Sequence, residues 1–289
     1  MRGTRSPVST AGEPPGHSRK SLATGFQNVD RSGDTFVFNR CLDLIAGISF
    51  FRDVKEESYR IISGASPGSV LDAGCGVGTD IATLVPLLPL HCQVFGIDAS
   101  KSLLARAAER TGDCRGRCPL ILGDITTIPC RNGVFGACRV DRVLQHIREP
   151  ERAIHELVRV TAPGGILVAF DNDWDTFRFS LDDRELVAVI ARFWRDSFAS
   201  GRIGRNLPGL FIQSGLGDVR AEPRKLVLND FSVAAQVFDL PDLIDRTEQA
   251  GVLAPAEASE VRTELRCRAK EGTFSSGYTG FLVQGTKPE

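Results

Sequence analysis

The chain has 289 residues, 42% of them hydrophobic and 25% charged, and a formal net charge of −1. This is the balance of a globular protein with ample material for a core. It offers no basic excess for nucleic acid and no cationic face for a membrane.

Residues 1–24 are rich in Pro, Gly, Ser, Thr and charge, which predicts a disordered tail. No apolar leader opens the chain, and no apolar run reaches the ~20 residues of a membrane span. Residues 25–63 are predicted to be helical. A first stretch runs through Phe36, Phe38, Leu42 and Leu44 to Phe50 and Phe51, and a second covers Val54 to Ile62. They form either a lid over a pocket or a plain packing layer.

A core of alternating strands and helices follows. Residues 68–73 read as a strand whose end carries Asp72, and three glycines at alternate positions, Gly74, Gly76 and Gly78, turn the chain into a helix from Ile81 to Leu88. Glycine here gives a tight strand-to-helix turn and lets a ligand approach the backbone. Strand Gln93–Asp98 ends in an acid and leads to a helix over Lys101–Arg110; Leu120–Leu122 is followed by Asp124. Phe135–Val140 ends at Asp141, Glu151–Val160 is an amphipathic helix, and Pro163-Gly164-Gly165 turns into Ile166–Phe170, which ends at Asp171. Such alternation predicts a Rossmann-like, doubly wound α/β sheet, and ligands in these sheets sit beyond the carboxyl ends of the strands, where the five acids lie.

The remainder is predicted as a helix over Arg184–Phe198, a short helix from Pro208 stopped at Gly215, and a strand through Val219–Leu228. Two helices at about 231–251 and 255–270 separate it from a last strand, Tyr278–Gln284. The eight cysteines (Cys41, Cys75, Cys92, Cys114, Cys118, Cys130, Cys138 and Cys267) make neither a disulfide framework nor a zinc set, so reduced thiols in a cytoplasmic protein are expected.

Val70-Leu71-Asp72-Ala73-Gly74-Cys75-Gly76-Val77-Gly78-Thr79-Asp80, the segments 96–100 and 123–125, the stretch 141–165 and the closing 280–285 together resemble class I S-adenosylmethionine (SAM)-dependent methyltransferases. The similar group includes the ubiquinone/menaquinone and bacterial small-molecule enzymes. A dinucleotide-binding enzyme shares the strand, glycine turn and later acid. The alternate glycine spacing and Asp72 ahead of the turn fit the methyltransferase pattern better.

The resemblance implies a seven-stranded, mostly parallel sheet with its last strand antiparallel. A helical N-terminal lid would precede a domain over 64–289, with a helical cap insertion at about 231–270. It implies that Gly74, Gly76 and Gly78 lie under the methionine part of SAM, with Asp72 holding the turn and favouring the ammonium end. Asp98 would accept both ribose hydroxyls, with Ala99 and Asp141 also at the cofactor. Asp124 would take the adenine amine, and the Ile125 amide a ring nitrogen. For Asp98 and Asp124 the plain alternative is helix capping.

For the chemistry, His146 is the candidate general base and Asp171 its orienting partner; a hydrogen-bonded helix-start histidine is the alternative. Asp141, Asp171 and Asn172 occupy places where a magnesium ion sits in catechol-type relatives, yet the other motifs resemble the metal-free group, and no metal is expected. The chain reads Asp141-Arg142-Val143-Leu144 where protein- and DNA-amide methyltransferases carry an Asn/Asp-Pro-Pro-aromatic motif. The expected reaction is O- or C-methylation of a small apolar or aromatic, secondary-metabolite-type acceptor, as in antibiotic biosynthesis, releasing S-adenosylhomocysteine. That acceptor would be enclosed by residues 26–62, 174–198 and 231–270. Arg202, Arg205 and Asn206 are read as a solvated surface. No nucleic acid or membrane partner is expected, and the protein would be a monomer or homodimer. Two other readings stay open: a SAM-binding enzyme of another reaction, such as a cyclisation, and a non-catalytic SAM-binding partner protein.

Overall fold

The apolar runs of the core assemble into one seven-stranded sheet in this computed structural model, which describes residues 47–112, 114 and 116–289. The expected tail and the lid stretch up to residue 46 lie outside the described residues. In chain order the elements are α1 (Ser49–Gly64), β1 (Ser69–Ala73), α2 (Thr79–Leu84), β2 (Gln93–Asp98), α3 (Lys101–Thr111) and β3 (Leu120–Leu122). Then come β4 (Phe135–Asp141), a 3-10 turn (Leu144–His146), α4 (Pro150–Val160), β5 (Thr161–Phe179), α5 (Arg184–Asp196) and α6 (Ile203–Gln213). β6 (Gly217–Leu228), α7 (Phe231–Val237), α8 (Leu240–Gln249), α9 (Pro255–Glu271) and β7 (Ser276–Thr286) complete the chain.

The strand order is β3-β2-β1-β4-β5-β7-β6. β3, β2, β1, β4 and β5 pair in parallel, while β7 runs antiparallel between β5 and β6. This is the expected Rossmann-like sheet with its last strand reversed. The parallel register brings Asp72, Asp98, Asp141 and Asp171 to one edge of the sheet, with Asp124 two residues past β3.

Alternation along the strands divides the core in two. On one face Val70, Val94, Ala137, Val168 and Phe170 pack with Val54 and Ile62 of α1 and Ile81 of α2. On the other, Leu71, Ile97, Cys138, Val140, Leu167 and Ala169 meet Ile154 and Leu157 of α4 and Leu207 and Phe211 of α6. Residues i and i+2 share a face of a strand, so the two clusters follow from the sequence. A third cluster is aromatic: Trp174, Phe177, Phe179, Trp194, Phe198, Phe238 and Tyr278, with Phe51 of α1 and the apolar faces of α8 and α9.

Four elements differ from expectation. α1 is one helix from Ser49, so Phe50 and Phe51 join the stretch predicted to begin at Val54. β5 continues to Phe179, because β7 supplies pairing beyond Asp171, from Asn172 opposite Gly280 to Phe179 opposite Ser276, across a bulge. α6 starts at Ile203 and carries Pro208 inside it. The helix predicted at 231–251 is two, broken where Asp239 takes a left-handed φ of 50° just before Pro241.

Candidate active site

The glycine turn leaves β1 with left-handed φ at Gly74 (73°), Gly76 (53°) and Gly78 (73°). The first two have different reasons to be glycine. A Cβ at Gly74 would sit 2.4 Å from Val143 Cγ2, inside the packing under the turn, whereas one at Gly76 would meet nothing within 4 Å among the described residues. Gly76 therefore presents bare backbone to an open face. That is the geometry of a ligand cradle rather than of a tight corner.

Asp98, half-buried at the end of β2, braces this turn. Its Oδ2 accepts from Gly76 N–H at 2.9 Å and its Oδ1 from Ser100 N–H at 2.8 Å. It is not the N-cap of α3; Ser100 is, its hydroxyl accepting from Leu103 N–H. Asp98 thus ties the end of β2 to the glycine turn and to the start of α3. Next to it Ala99 is exposed. Asp124 is exposed as well, and its Oδ1 accepts from the Thr126 amide and hydroxyl, both at 2.8 Å; the buried Ile125 lies between them. Asp124 Oδ1 thus holds a turn rather than a helix N-terminus, since no helix starts there.

Asp72 lies in a buried cluster of ion pairs. Its carboxylate faces Arg139, whose side chain, like its own, is 2% exposed, with Oδ1 at 2.9 Å from Nη1. Arg139 also reaches Asp80 at 3.1 Å, Asp141 at 2.7 Å and the Ser58 hydroxyl at 3.0 Å. Lys55 of α1 adds a 2.5 Å bond to Asp80 and stands 3.8 Å from Asp141, and the Tyr59 hydroxyl donates to Asp80. Arg142 closes the set with a 3.0 Å bond to Asp141 Oδ1 and stacks on Phe51 at 4.7 Å. Three acids are thus matched by three bases beneath the glycine turn.

Arg139 pairs with the charge of Asp72, while its buried Oδ2 has no donor among the described residues. Burial and the neighbouring Asp80 push the Asp72 carboxyl up to about 6 against the pull of Arg139. Burial would raise Asp141 too, but Arg142, Arg139 and Lys55 outweigh it and hold that carboxyl below its usual range. Both oxygens of Asp141 are engaged by guanidinium groups, Oδ1 by Arg142 and Oδ2 by Arg139. Among the described residues no group of three or more His, Cys, Asp and Glu is arranged to hold a metal ion.

The third region is built on amides and aromatic rings around one buried carboxyl. The 3-10 turn after β4 carries Gln145 and His146, and Asp171 was expected to pair with the imidazole. Instead its two oxygens accept the main-chain N–H of Gln145 (3.1 Å) and Asn172 (2.9 Å), so it fixes the turn rather than the ring. Fully buried, Asp171 is pushed up to about 7, an effect the two amides only partly offset. Gln145 Oε1 accepts from Asn172 Nδ2 (3.1 Å) and Trp174 Nε1 (2.8 Å), and its Nε2 lies 3.2 Å from both the Arg142 carbonyl and His146 Nε2. The His146 ring packs on Phe198 at 5.7 Å.

The residues expected to enclose an acceptor come together here, but as a core. Trp174 stacks on Phe198 at 5.0 Å and leans on Tyr278 at 4.6 Å. Arg202, Arg205 and Asn206 are exposed, as a solvated surface requires, and the two arginines pair with acids of β5: Arg205 with Asp173 at 2.5 Å and Arg202 with Asp175 at 2.7 Å. Sequence reading missed Arg139, Lys55, Tyr59 and Gln145. A signal existed for Arg139, the one charge inside an otherwise apolar strand, on the same face as Asp141 two residues on.

With this geometry on the page, relatives can be placed. Residues 71–169 match the methyltransferase domain family. An uncharacterised 37.1 kDa protein of transposon Tn4556 from Streptomyces fradiae is 35% identical over 220 residues, covering 76% of this chain and 63% of that protein. A demethylmenaquinone methyltransferase of Renibacterium salmoninarum is 34% identical over 115 residues, 39% of this chain and 46% of that enzyme. The chain thus spans less than two thirds of either relative. Among solved structures, the YcgJ protein of a Bacillus shares the fold with a TM-score of 0.59 at 16% identity, over 82% of this chain and 99% of that one. The chain is thus similar to methyltransferase domains over residues 71–169 and shares its fold with the YcgJ protein.

Proposed function

We propose that this protein transfers a methyl group from SAM to a small apolar or aromatic acceptor. The observation that carries the reading is the open backbone face at Gly76, bonded through its N–H to Asp98 at the end of β2. The residues present fit the donor: a turn of alternate glycines, the Asp98 carboxylate bonded to it, and a buried acceptor oxygen on Asp72. When bound, SAM supplies a methyl group already activated on a sulfonium.

The chain's own residues bind and orient. Asp98 takes the ribose hydroxyls, Asp124 the adenine amine, the Ile125 amide a ring nitrogen, and the main chain of 74–78 the methionine end. Lys55, Arg139 and Arg142 neutralise the three acids below, so the turn keeps its shape without a net negative floor. Holding acceptor and methyl in line supplies several kcal/mol of barrier lowering, an order-of-magnitude figure for oriented reactants. The aromatic cluster stiffens the wall that carries Trp174 and Phe198. The likeness to a demethylmenaquinone methyltransferase supports a small aromatic acceptor.

The test is calorimetric titration with SAM and, separately, NAD, followed by assay of S-adenosylhomocysteine release with aromatic and polyketide-like acceptors. Binding of SAM with NAD silent is expected. Binding of NAD with SAM silent would overturn the reading.

A further inference from the structure

We infer that Arg142 and Tyr278 form a carboxylate-binding subsite beside the glycine turn, the guanidinium gripping both oxygens and the phenol donating to one of them. The carboxylate is that of SAM's methionine end or that of an acidic acceptor. Both sources rest on the methyl-transfer reading; the subsite itself does not.

One side-chain nitrogen of Arg142 is engaged. Its Nε donates to Asp141 Oδ1 at 3.0 Å, and among the described residues neither terminal nitrogen has a hydrogen-bond partner. A guanidinium carries five N–H donors in a rigid fork, so the four on the terminal nitrogens stay available. Tyr278 is in the same condition: the residue is 3% exposed, yet no described residue hydrogen-bonds its hydroxyl. A buried phenol usually finds a partner. Among the described residues, the sealed polar atoms without a partner include neither this hydroxyl nor the Arg142 nitrogens, so a solute can reach both groups.

The guanidinium is fixed in place. It lies over the Phe51 ring, 4.7 Å from its centre, and the side chain is 14% exposed. The main chain beneath it has a left-handed φ of 56°, which a residue other than glycine keeps only where its surroundings enforce it. Here the Arg142 N–H donates to the Phe170 carbonyl at 2.7 Å, and the Arg142 carbonyl accepts from Gln145 Nε2 at 3.2 Å.

Aromatic rings bring the two groups together. Phe50 meets Phe51 edge-on at 5.1 Å and Tyr278 at 6.2 Å, while Trp174 packs on the phenol at 4.6 Å. Burial pushes that phenol above its ordinary range against the pull of Arg142, the charge that acts on it most, so it stays an O–H donor. Val143, the next residue after Arg142, packs under Gly74, which sets the subsite against the glycine turn.

A carboxylate matches this donor set. Its two oxygens take parallel N–H bonds from a guanidinium and still have a lone pair for the phenol. The neighbouring acids do not oppose it. Asp141 is matched by Arg139 and Arg142, and Asp171, pushed up to about 7 by burial, carries only part of its charge at neutral pH. A neutral amide offers the fork one oxygen in place of two.

The experiment is calorimetry on the full chain, with wild type, Arg142→Gln and Tyr278→Phe. One arm titrates SAM and decarboxylated SAM, which lacks the carboxylate. The other titrates benzoate and benzamide, with and without saturating S-adenosylhomocysteine. If the carboxylate is SAM's, wild type prefers SAM to its decarboxylated form by about tenfold or more, and both variants cut that ratio several-fold. If it is the acceptor's, the SAM ratio holds and a preference of about tenfold for benzoate over benzamide falls towards one in both variants. Both ratios unchanged in the variants would overturn the proposal, as would an equal weakening of all four ligands, which is what a purely structural Arg142 gives. Tyr278→Phe keeps the ring packing and decides alone if Arg142→Gln does not fold. If neither SAM nor S-adenosylhomocysteine binds, the methyl-transfer reading falls, and benzoate against benzamide on the chain alone still decides the subsite.

Discussion

Two polar clusters stand side by side at the carboxyl edge of the sheet, and they are built on opposite principles. Under the glycine turn, Asp72, Asp80 and Asp141 are locked to Lys55, Arg139 and Arg142 by full charges. Beside it, Gln145, Asn172 and Trp174 are joined by neutral donors and acceptors whose order one indole N–H dictates. The ionic cluster is indifferent to small displacements but intolerant of losing a partner. The neutral one is directional, and a single exchanged atom reverses it.

Removing the hub of the ionic cluster should give the largest effect. Arg139→Met leaves three buried carboxylates short of a cation and should destabilise the fold by ~3–5 kcal/mol in chemical denaturation. A loss near zero would mean that the acids release their charge instead, and the contrast between the clusters would collapse.

The glycine turn sharpens the same contrast between shape and recognition. Gly74→Ala and Gly76→Ala share the left-handed penalty of ~1–2 kcal/mol. Only Gly74→Ala also collides with Val143, adding ~1–3 kcal/mol of overpacking, so the two should separate by that amount in thermal or chemical unfolding. Gly76→Ala should instead show its excess effect in SAM affinity. Asp98→Ala should weaken SAM binding by ~1–3 kcal/mol through lost hydroxyl contacts, read by calorimetry; unchanged affinity would falsify its assignment to the ribose.

The smallest effect concerns pH. Asp171, raised to about 7 in the folded chain and ~3.9 unfolded, binds its proton more tightly when folded. Its contribution is fully present below about pH 4 and is lost as pH rises through about 7. Asp171→Asn does not titrate, so its plot of melting temperature against pH should be flatter than wild type over that window. Asp72, at about 6, works in the same direction and remains in the variant. The lowered Asp141 works oppositely, losing its stabilisation as pH falls below its usual range.

By itself the sequence determined the sheet, the placing of five acids along one edge, and the glycine turn with Asp98 beside it. These are local or periodic properties: strand alternation, helix spacing and the steric needs of a turn are written in neighbouring residues. Tertiary structure alone decided what each acid does there. Asp72 is paired because Arg139, 67 residues away, shares its face one strand over, and Asp171 grips the backbone because the turn after β4 offers it two amides. The continuation of β5 became a strand because β7 lay ready to pair with it, and the aromatic residues of 174–198 and 231–270 became a core because they found each other. A carboxylate's partner is fixed by which groups the fold brings within about 3 Å of it, and no spacing along the chain encodes that distance.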